Sequence, residues 1–227
     1  MLLDVRLGAA AAFVPRGARL ADIGSDHAYL PISLCLDGKI ECALASDINE
    51  GPVAAAVANI NKNGLSHNIQ AIRADGLDSA RDFAPDCITV LGMGGELIVS
   101  ILDRAAWIKD EKIMLILQPM THPEILSLYL AKNGFEITDE IIVCDGGRDD
   151  RIYRIISARY CGEPYSLTEV DALIGRKNIE RLDLVTRAYI EKQIRIFDAR
   201  ARGKRSAMQD TTDEDRLICE MKKILGA

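Results

Sequence analysis

Four short stretches carry side chains whose types and spacing suit the holding of a nucleoside. The first is ADIGSDHAYLP at 21–31, where Asp22, Gly24, Ser25, Asp26, His27 and Tyr29 crowd a turn after a short apolar run. A glycine in such a turn lets backbone amides approach a ligand that a side chain would exclude. The second is Asp47, 23 residues beyond Gly24. An acid at that place accepts hydrogen bonds from ribose hydroxyls in dinucleotide sites. The third is Asp75-Gly76, whose carboxylate suits the exocyclic amine of an adenine ring, and the fourth is Gly92-Met93-Gly94-Gly95. Each alone is an ordinary turn or helix cap. In this order and spacing they read together as a nucleoside site.

These residues need elements that bring them to one place. Between residues 19 and 143, apolar runs alternate with helical patterns: RLADIG, ECALASD, NIQAIRADG, DCITVLGMGG and KIMLILQPM read as strands, with helices between them. Strands separated by helices of this length imply a parallel, doubly covered sheet. Ligands of such sheets bind at the carboxyl ends of the strands, where all four stretches fall. The pattern then changes. FEITDEIIVCDGG and RIYRIISARY are joined by 146-GGRDD-150 and read as a hairpin that closes the sheet with an antiparallel pair. The fold class is therefore α/β, Rossmann-like, with a C-terminal helical extension. A catalytic domain over 1–162 and a helical, coiled-coil-like domain over 163–227 are expected. In the latter, SLTE at 166–169 fits a capping box. Ile179, Leu182, Val185, Tyr189, Ile190, Ile194, Phe197 and Ala201 recur at helical spacing, and Leu217 to Leu225 mark an antiparallel partner helix.

The loop chemistry narrows the nucleoside. A diphosphate cofactor wants G-x-G-x-x-G, so that its charge lies on bare backbone at a helix N-terminus. Here Ser25, Asp26 and His27 follow Gly24, and Asp26 would repel a diphosphate. A cationic adenosyl amino acid fits better: S-adenosyl-L-methionine carries both a sulfonium and an α-amino group.

Composition sets outer bounds. The 227 residues are 48% hydrophobic and 27% charged, enough for one α/β domain and a small extension. No apolar run reaches the length of a membrane span. The start, MLLDVRLGAAAAFVPRGA, superficially suggests a signal peptide; Asp4 and Arg6 are misplaced for one, and the run reads as a short helix closed at Pro15. Six cysteines without a CxxC pair read as free thiols in a reducing cytoplasm. The three histidines lack ligand-spaced neighbours, so no metal site is expected. The net charge of −6 hides an asymmetry. Residues 1–164 carry 15 basic and 23 acidic side chains, whereas residues 176–205 carry 10 and 4. That basic stretch is either a solvated helix face or an electrostatic footprint for nucleic acid.

With these residues in view, nearly the whole chain resembles the bacterial tRNA (adenine-22-N1)-methyltransferase family. The carriers are VPRGARLADIGSDHAYLPI at 14–32, SDINEGPVAAAVANINKNGL at 46–65, RADGL at 73–77, GMGGELIVSIL at 92–102, and LQP with NGFEI further on. The resemblance implies a class I fold, S-adenosylmethionine as cofactor and tRNA as partner, with methyl transfer to ring nitrogen 1 of adenosine 22. It implies cofactor contacts from Asp22, Gly24, Ser25, Asp26, His27, Asp47, Ile48, Asp75, Gly76, Gly92 and Gly94. Asp26, His27 and Tyr29 are the expected catalytic residues, as stabilisers or positioners and not as general bases. Arg176, Lys177, Arg181, Lys192, Arg195, Arg202, Lys204 and Arg205 become expected phosphate contacts. Three departures stand out. Asp47 replaces a usual glutamate, Met120 stands where the family commonly has the asparagine of LQPN, and DGGRDDRIYR differs from the usual acidic-lysine-tyrosine run. A cytoplasmic enzyme, monomeric, without metal or membrane, is the resulting expectation. A methyltransferase acting on another RNA or a small molecule remains open at this point, as does a non-catalytic Rossmann-type RNA-binding protein.

Overall fold

The computed structural model describes residues 2–146 and 151–226. Five parallel strands form the centre: β1 (Arg19–Ile23), β2 (Cys42–Asp47), β3 (Ile69–Arg73), β4 (Cys87–Gly94) and β5 (Met114–Thr121). β6 (Phe135–Cys144) and β7 (Ile152–Tyr160) complete a seven-stranded sheet in the order β3-β2-β1-β4-β5-β7-β6. β7 runs antiparallel to both β5 and β6. The hairpin expected from sequence is therefore present, with its return strand inserted beside β5. Of the segment expected to join it, residues 147–150 lie outside the described residues.

The sheet is buried on both faces, which is why its strands read as nearly unbroken apolar runs. Successive residues point to opposite sides. Ala21 and Ile23 join a core with Ile88, Val90, Leu115 and Leu117. That core is covered by α4 (Gly95–Asp103) and α5 (Pro123–Lys132). Leu20, Ala43, Ala45 and Ile116 face the other side, under α1 (Val5–Phe13), α2 (Tyr29–Leu36) and α3 (Glu50–Lys62). Asp4 caps α1 by accepting a bond from the Leu7 amide at 2.7 Å. Residues 5–13 are thus a helix of the layer packed on this face of the sheet.

A third core joins the C-terminal helices to the hairpin. α6 (Glu169–Ile174), α7 (Arg176–Arg181), α8 (Leu184–Ser206) and α9 (Thr212–Leu225) gather Val170, Ile174, Ile190, Leu217 and Met221 around Ile142 of β6. α8 and α9 are antiparallel. Lys204 and Arg205 near the end of α8 pair with Glu214 and Asp215 near the start of α9. Two local readings are corrected. The capping box lies two residues later than SLTE suggests: Thr168 caps α6 and Asp171 closes the box. The helical pattern from residue 178 is also broken. Leu182 adopts φ of 44°, and Asp183 caps a new helix through the Thr186 amide at 2.8 Å. An N-capping aspartate competes with helix continuation because its side chain satisfies amides that the preceding turn would otherwise serve.

Candidate functional site

The loop from β1 to α2 is built around a buried carboxylate. Asp22 Oδ2 accepts from Ser25 Oγ at 2.5 Å, and Oδ1 accepts from Thr89 Oγ1 of β4 at 2.6 Å. Burial pushes the Asp22 carboxyl above the ordinary range, against the lowering effect of the two hydroxyls and of nearby Arg6. The Ser25 amide donates to the Ser46 carbonyl of β2 at 2.8 Å, so three central strands fix the turn. Gly24 has φ of 70°, and the end of the Met93 side chain occupies the place its Cβ would take. His27 and Ala28 follow with φ of 62° and 55°. Such left-handed conformations cost an L-residue about 1–2 kcal/mol each. Asn59 of α3 holds the second turn by donating to the His27 carbonyl at 3.1 Å. What this strained turn presents is a pair of rings: His27 and Tyr29 stack at 5.2 Å with planes 13° apart. Asp26 lies beside them, its Oδ1 at 3.3 Å from His27 Nε2.

Asp22, Gly24, Ser25, Asp26, Tyr29 and Gly92 line one cavity of about 380 Å³, together with residues of α1. It sits at the carboxyl ends of β1 and β4, where a doubly wound sheet binds its ligand. The other expected cofactor residues do not line it. Asp47 ends β2 with Oδ1 turned to the Asn49 amide at 2.7 Å, and Ile48 beyond it is exposed. Asp75 follows β3 and is gripped by Arg104, Nη1 to Oδ2 at 3.0 Å and Nη2 to Oδ1 at 2.9 Å. That guanidinium holds the Asp75 carboxyl below its ordinary range. Both oxygens retain a second lone pair. Gly76, with φ of 56°, packs toward Ile101 and Arg104. Gly94 faces Thr121 of β5 instead of the cavity. Asp47 and Asp75-Gly76 continue the row of strand ends from β1 outward through β2 to β3.

Two residues of this region escaped the sequence reading. Gln118 of β5 is fully buried, with Oε1 accepting from the Gly92 amide at 3.1 Å and Nε2 donating to the Pro119 carbonyl at 2.9 Å. Its signals were a polar residue inside KIMLILQPM and its place in the LQP carrier of the resemblance. Arg6 reaches the same cavity from α1, and nothing local in the sequence marks it. Met120 is half exposed at the end of β5, its sulfur 3.5 Å from Gln118 Nε2. Among the described residues no group of three or more His, Cys, Asp or Glu could hold a metal ion, and no helix is long and apolar enough to cross a membrane.

The eight expected phosphate contacts divide sharply. Arg176 pairs with Asp171 at 3.1 Å, Arg181 with Asp139 at 3.0 Å and Arg202 with Asp198 at 3.2 Å. Lys177, Lys204 and Arg205 also have carboxylate partners. Lys192 and Arg195 have no ion-pair partner among the described residues. Lys192 lines a cleft of about 570 Å³ between α8 and the Pro119–Glu124 turn, and Arg200 lines it too. Arg195 and Lys192 share a neighbouring cavity with Cys144 and Ile152.

Comparison with known proteins places this architecture among methyltransferases. The methyltransferase domain family matches residues 3–156. A curated relative, the tRNA (adenine(22)-N(1))-methyltransferase of Bacillus subtilis (strain 168), is 39% identical over 146 residues. That match covers 64% of this chain and 61% of the relative, so it spans less than two thirds of the relative's length. The structure of the B. subtilis m1A22 tRNA methyltransferase TrmK superposes with a TM-score of 0.82 at 30% identity, covering 98% of this chain and 95% of that one. TrmK of M. capricolum, solved with the cofactor product S-adenosyl-homocysteine, gives 0.77 at 26% identity, covering 100% and 97%.

Proposed function

Because this chain belongs to the bacterial tRNA (adenine-22-N1)-methyltransferase family, we propose that it moves a methyl group from S-adenosylmethionine to ring nitrogen 1 of adenosine 22 in tRNA. The observation that carries the reading is the cavity at the ends of β1 and β4. Its carboxylates, Asp22 and Asp26, repel a diphosphate and suit a cationic adenosyl amino acid, and its loop lacks the further glycines a dinucleotide needs. The residues present therefore fit the cofactor.

S-adenosylmethionine, when bound, supplies an electrophilic methyl group on a sulfonium. The protein's own groups do the rest. Gly24 makes room for the end of the Met93 side chain and Gly92 for the Arg6 guanidinium, and Asp47 and Asp75-Gly76 are the acceptors for ribose and adenine along the neighbouring strand ends. The target nitrogen already carries a lone pair, so no proton has to leave before attack. The chain's task is to hold an extruded base in line and exclude water. The stacked His27–Tyr29 pair offers that base a flat surface. Methylation leaves the ring cationic, and Asp26 is the nearby carboxylate to stabilise the developing charge.

The test is transfer from labelled S-adenosylmethionine to two tRNA transcripts, one with adenosine and one with guanosine at position 22. Transfer to the first alone is expected. Equal labelling of both, or of neither, overturns the reading.

Of the α8 cations without an ion-pair partner among the described residues, Lys192, Arg195 and Arg200 are the ones proposed to hold the tRNA backbone. A Lys192→Glu, Arg195→Glu, Arg200→Glu triple variant should weaken tRNA binding by about tenfold or more and flatten its salt dependence, because each lost phosphate contact removes roughly one unit of slope. S-adenosylhomocysteine affinity should be unchanged. A matched reversal of Arg176, Arg181 and Arg202 should do far less, and equal losses in the two triples would sink the assignment. A tRNA substrate and free cysteines fit a cytoplasmic location.

A further inference from the structure

One stripe of α8 faces the turn that closes β5. Tyr189, Gln193, Ile196, Phe197 and Arg200 recur at helical spacing, and with Lys192 they form one wall of the cleft of about 570 Å³. The other wall is the Pro119–Glu124 turn with Leu128 of α5. A cleft of that size falls within the about 300–1,000 Å³ of small-ligand sites. Its apolar surface is open: Met120 is 51% exposed and Leu128 42%. Phe197 packs on the third core and is only partly buried there. The exposed Arg200 guanidinium lies over its ring, 5.1 Å from the centroid. An exposed cation reaches only a ring face that is open to solvent, so Phe197 and Arg200 together make a flat platform on the α8 wall.

Two cations of the cleft are without a carboxylate. Glu124 faces His122 at 3.1 Å, Glu169 is paired with Arg216, and the buried Arg154 is paired with Glu140. Lys192 and Arg200 have no ion-pair partner among the described residues. An occupant that satisfies the cleft therefore brings an anion beside a flat apolar body. A nucleotide carries both, a phosphate for the cations and a base for the platform. An acidic peptide would meet the cations and leave the flat apolar surfaces unused.

The position of the cleft selects which nucleotide. Gln118 Nε2 donates to the Met120 sulfur at 3.5 Å, and Gln118 Oε1 accepts from the amide of Gly92, which lines the cavity at the ends of β1 and β4. β5 runs beside β4, so the two strand ends lie about one strand spacing, roughly 4.8 Å, apart. A base in the cleft is thus a chain neighbour of a base held over β4. We infer that the cleft is a second nucleobase site, which takes one unstacked nucleotide adjoining adenosine 22, its base between the Phe197–Arg200 platform and Met120 and its phosphate on Lys192. This rests on the tRNA reading of the protein and adds to it a stacking contact on the helical extension. Holding the neighbour out of the stack removes one of the contacts that would draw the target base back into it.

The test is a double-mutant cycle between protein and RNA, read as kcat/KM for methyl transfer. Three transcripts carry adenosine 22: one intact, one abasic at the nucleotide before it and one abasic at the nucleotide after it. Phe197→Leu fills the core and removes the ring. Wild type should lose about fivefold to a hundredfold on one of the two abasic transcripts, the range for one base–aromatic stack. Phe197→Leu should lose a similar factor on the intact transcript and less than about twofold more on that abasic one. Phe197→Tyr, which keeps the ring, should retain the wild-type penalty there. Met120→Ala repeats the cycle from the opposite wall without touching the third core, and should couple to the same position. No loss by wild type on either abasic transcript, or losses that multiply at both, would overturn the inference while leaving the function reading intact. Failure of wild type to methylate the intact transcript would instead overturn that reading, and this inference with it.

Discussion

Replacing Arg154 with alanine should cost about 3–5 kcal/mol of stability, the range for removing one partner of a buried ion pair. Arg154 on β7 and Glu140 on β6 are 3% and 1% exposed. They sit diagonally on the same sheet face, since Arg154 opposes Ile142 and Glu140 opposes Ile156. Nε and Nη2 of the arginine both donate to Glu140 Oε2, at 3.0 and 2.6 Å. Nη1 donates to the Ala172 and Leu173 carbonyls at 2.6 and 3.2 Å, which satisfies the end of α6. Glu140 Oε1 in turn accepts from the Lys177 amide in α7 at 3.0 Å. The pair therefore ties the sheet to the C-terminal helices at both ends. Alanine at 154 would leave a buried carboxylate without its cation and two helix carbonyls without donors. Urea denaturation measures the cost, and limited proteolysis should locate the loosening after residue 162. A loss below about 1 kcal/mol would show that water or a neighbour replaces the arginine, and that the apolar core alone joins the helices.

Gly175 belongs to the same junction. Its φ is 100°, and a Cβ there would run into the Glu140 carboxylate. The sequence displays Glu140, Arg154 and Gly175 openly, but not that they meet. Whether a charge on a strand faces inward depends on what covers the strand, and here the cover arrives 18 to 37 residues later. The same limit explains the basic stretch. Its excess of arginine and lysine is plain in the sequence, whereas four of the six carboxylates that pair with it come from β6, α6 and α9. Only assembly separates the four cations without an ion-pair partner among the described residues, Arg187, Lys192, Arg195 and Arg200, from the rest. Strand and helix order was legible because doubly covered strands leave short apolar runs closed by glycine or aspartate. The β1 loop was legible because its unusual Ser-Asp-His replaces glycines whose physical role is known. Arg6 was not, because its partner Gln118 is 112 positions away.

Substituting Gly95 with alanine should break the site without touching any ligand-contacting group. Gly95 is the first residue of α4 and is buried. Its φ is not positive, so conformation alone does not demand glycine. Alanine ought even to gain about 1 kcal/mol from helix propensity. The obstacle is proximity: a Cβ would overlap the His122 carbonyl oxygen and stand 3.0 Å from the Thr121 carbonyl oxygen. Both are backbone atoms, and His122 is itself pinned at φ of 51° at the start of α5. Neither can rotate aside, so the β4–α4 and β5–α5 junctions must part. Those junctions carry Gly92 and Met93 on one side and Gln118 to Met120 on the other. The clash should outweigh the propensity gain and leave a net loss of about 2–3 kcal/mol, as for overpacking elsewhere. S-adenosylhomocysteine affinity should fall about tenfold or more, because the Gln118 bond to the Gly92 amide cannot survive a separation of that kind. Gly94→Ala is the control. Its Cβ would meet only the Thr121 hydroxyl at 3.1 Å, a side chain free to turn, so a change below about 1 kcal/mol is expected. Thermal or urea unfolding of the two variants decides the matter. If alanine at 95 stabilised the protein, the two junctions would have to be more compliant than their packing implies, and close approach would no longer account for glycine at the start of α4.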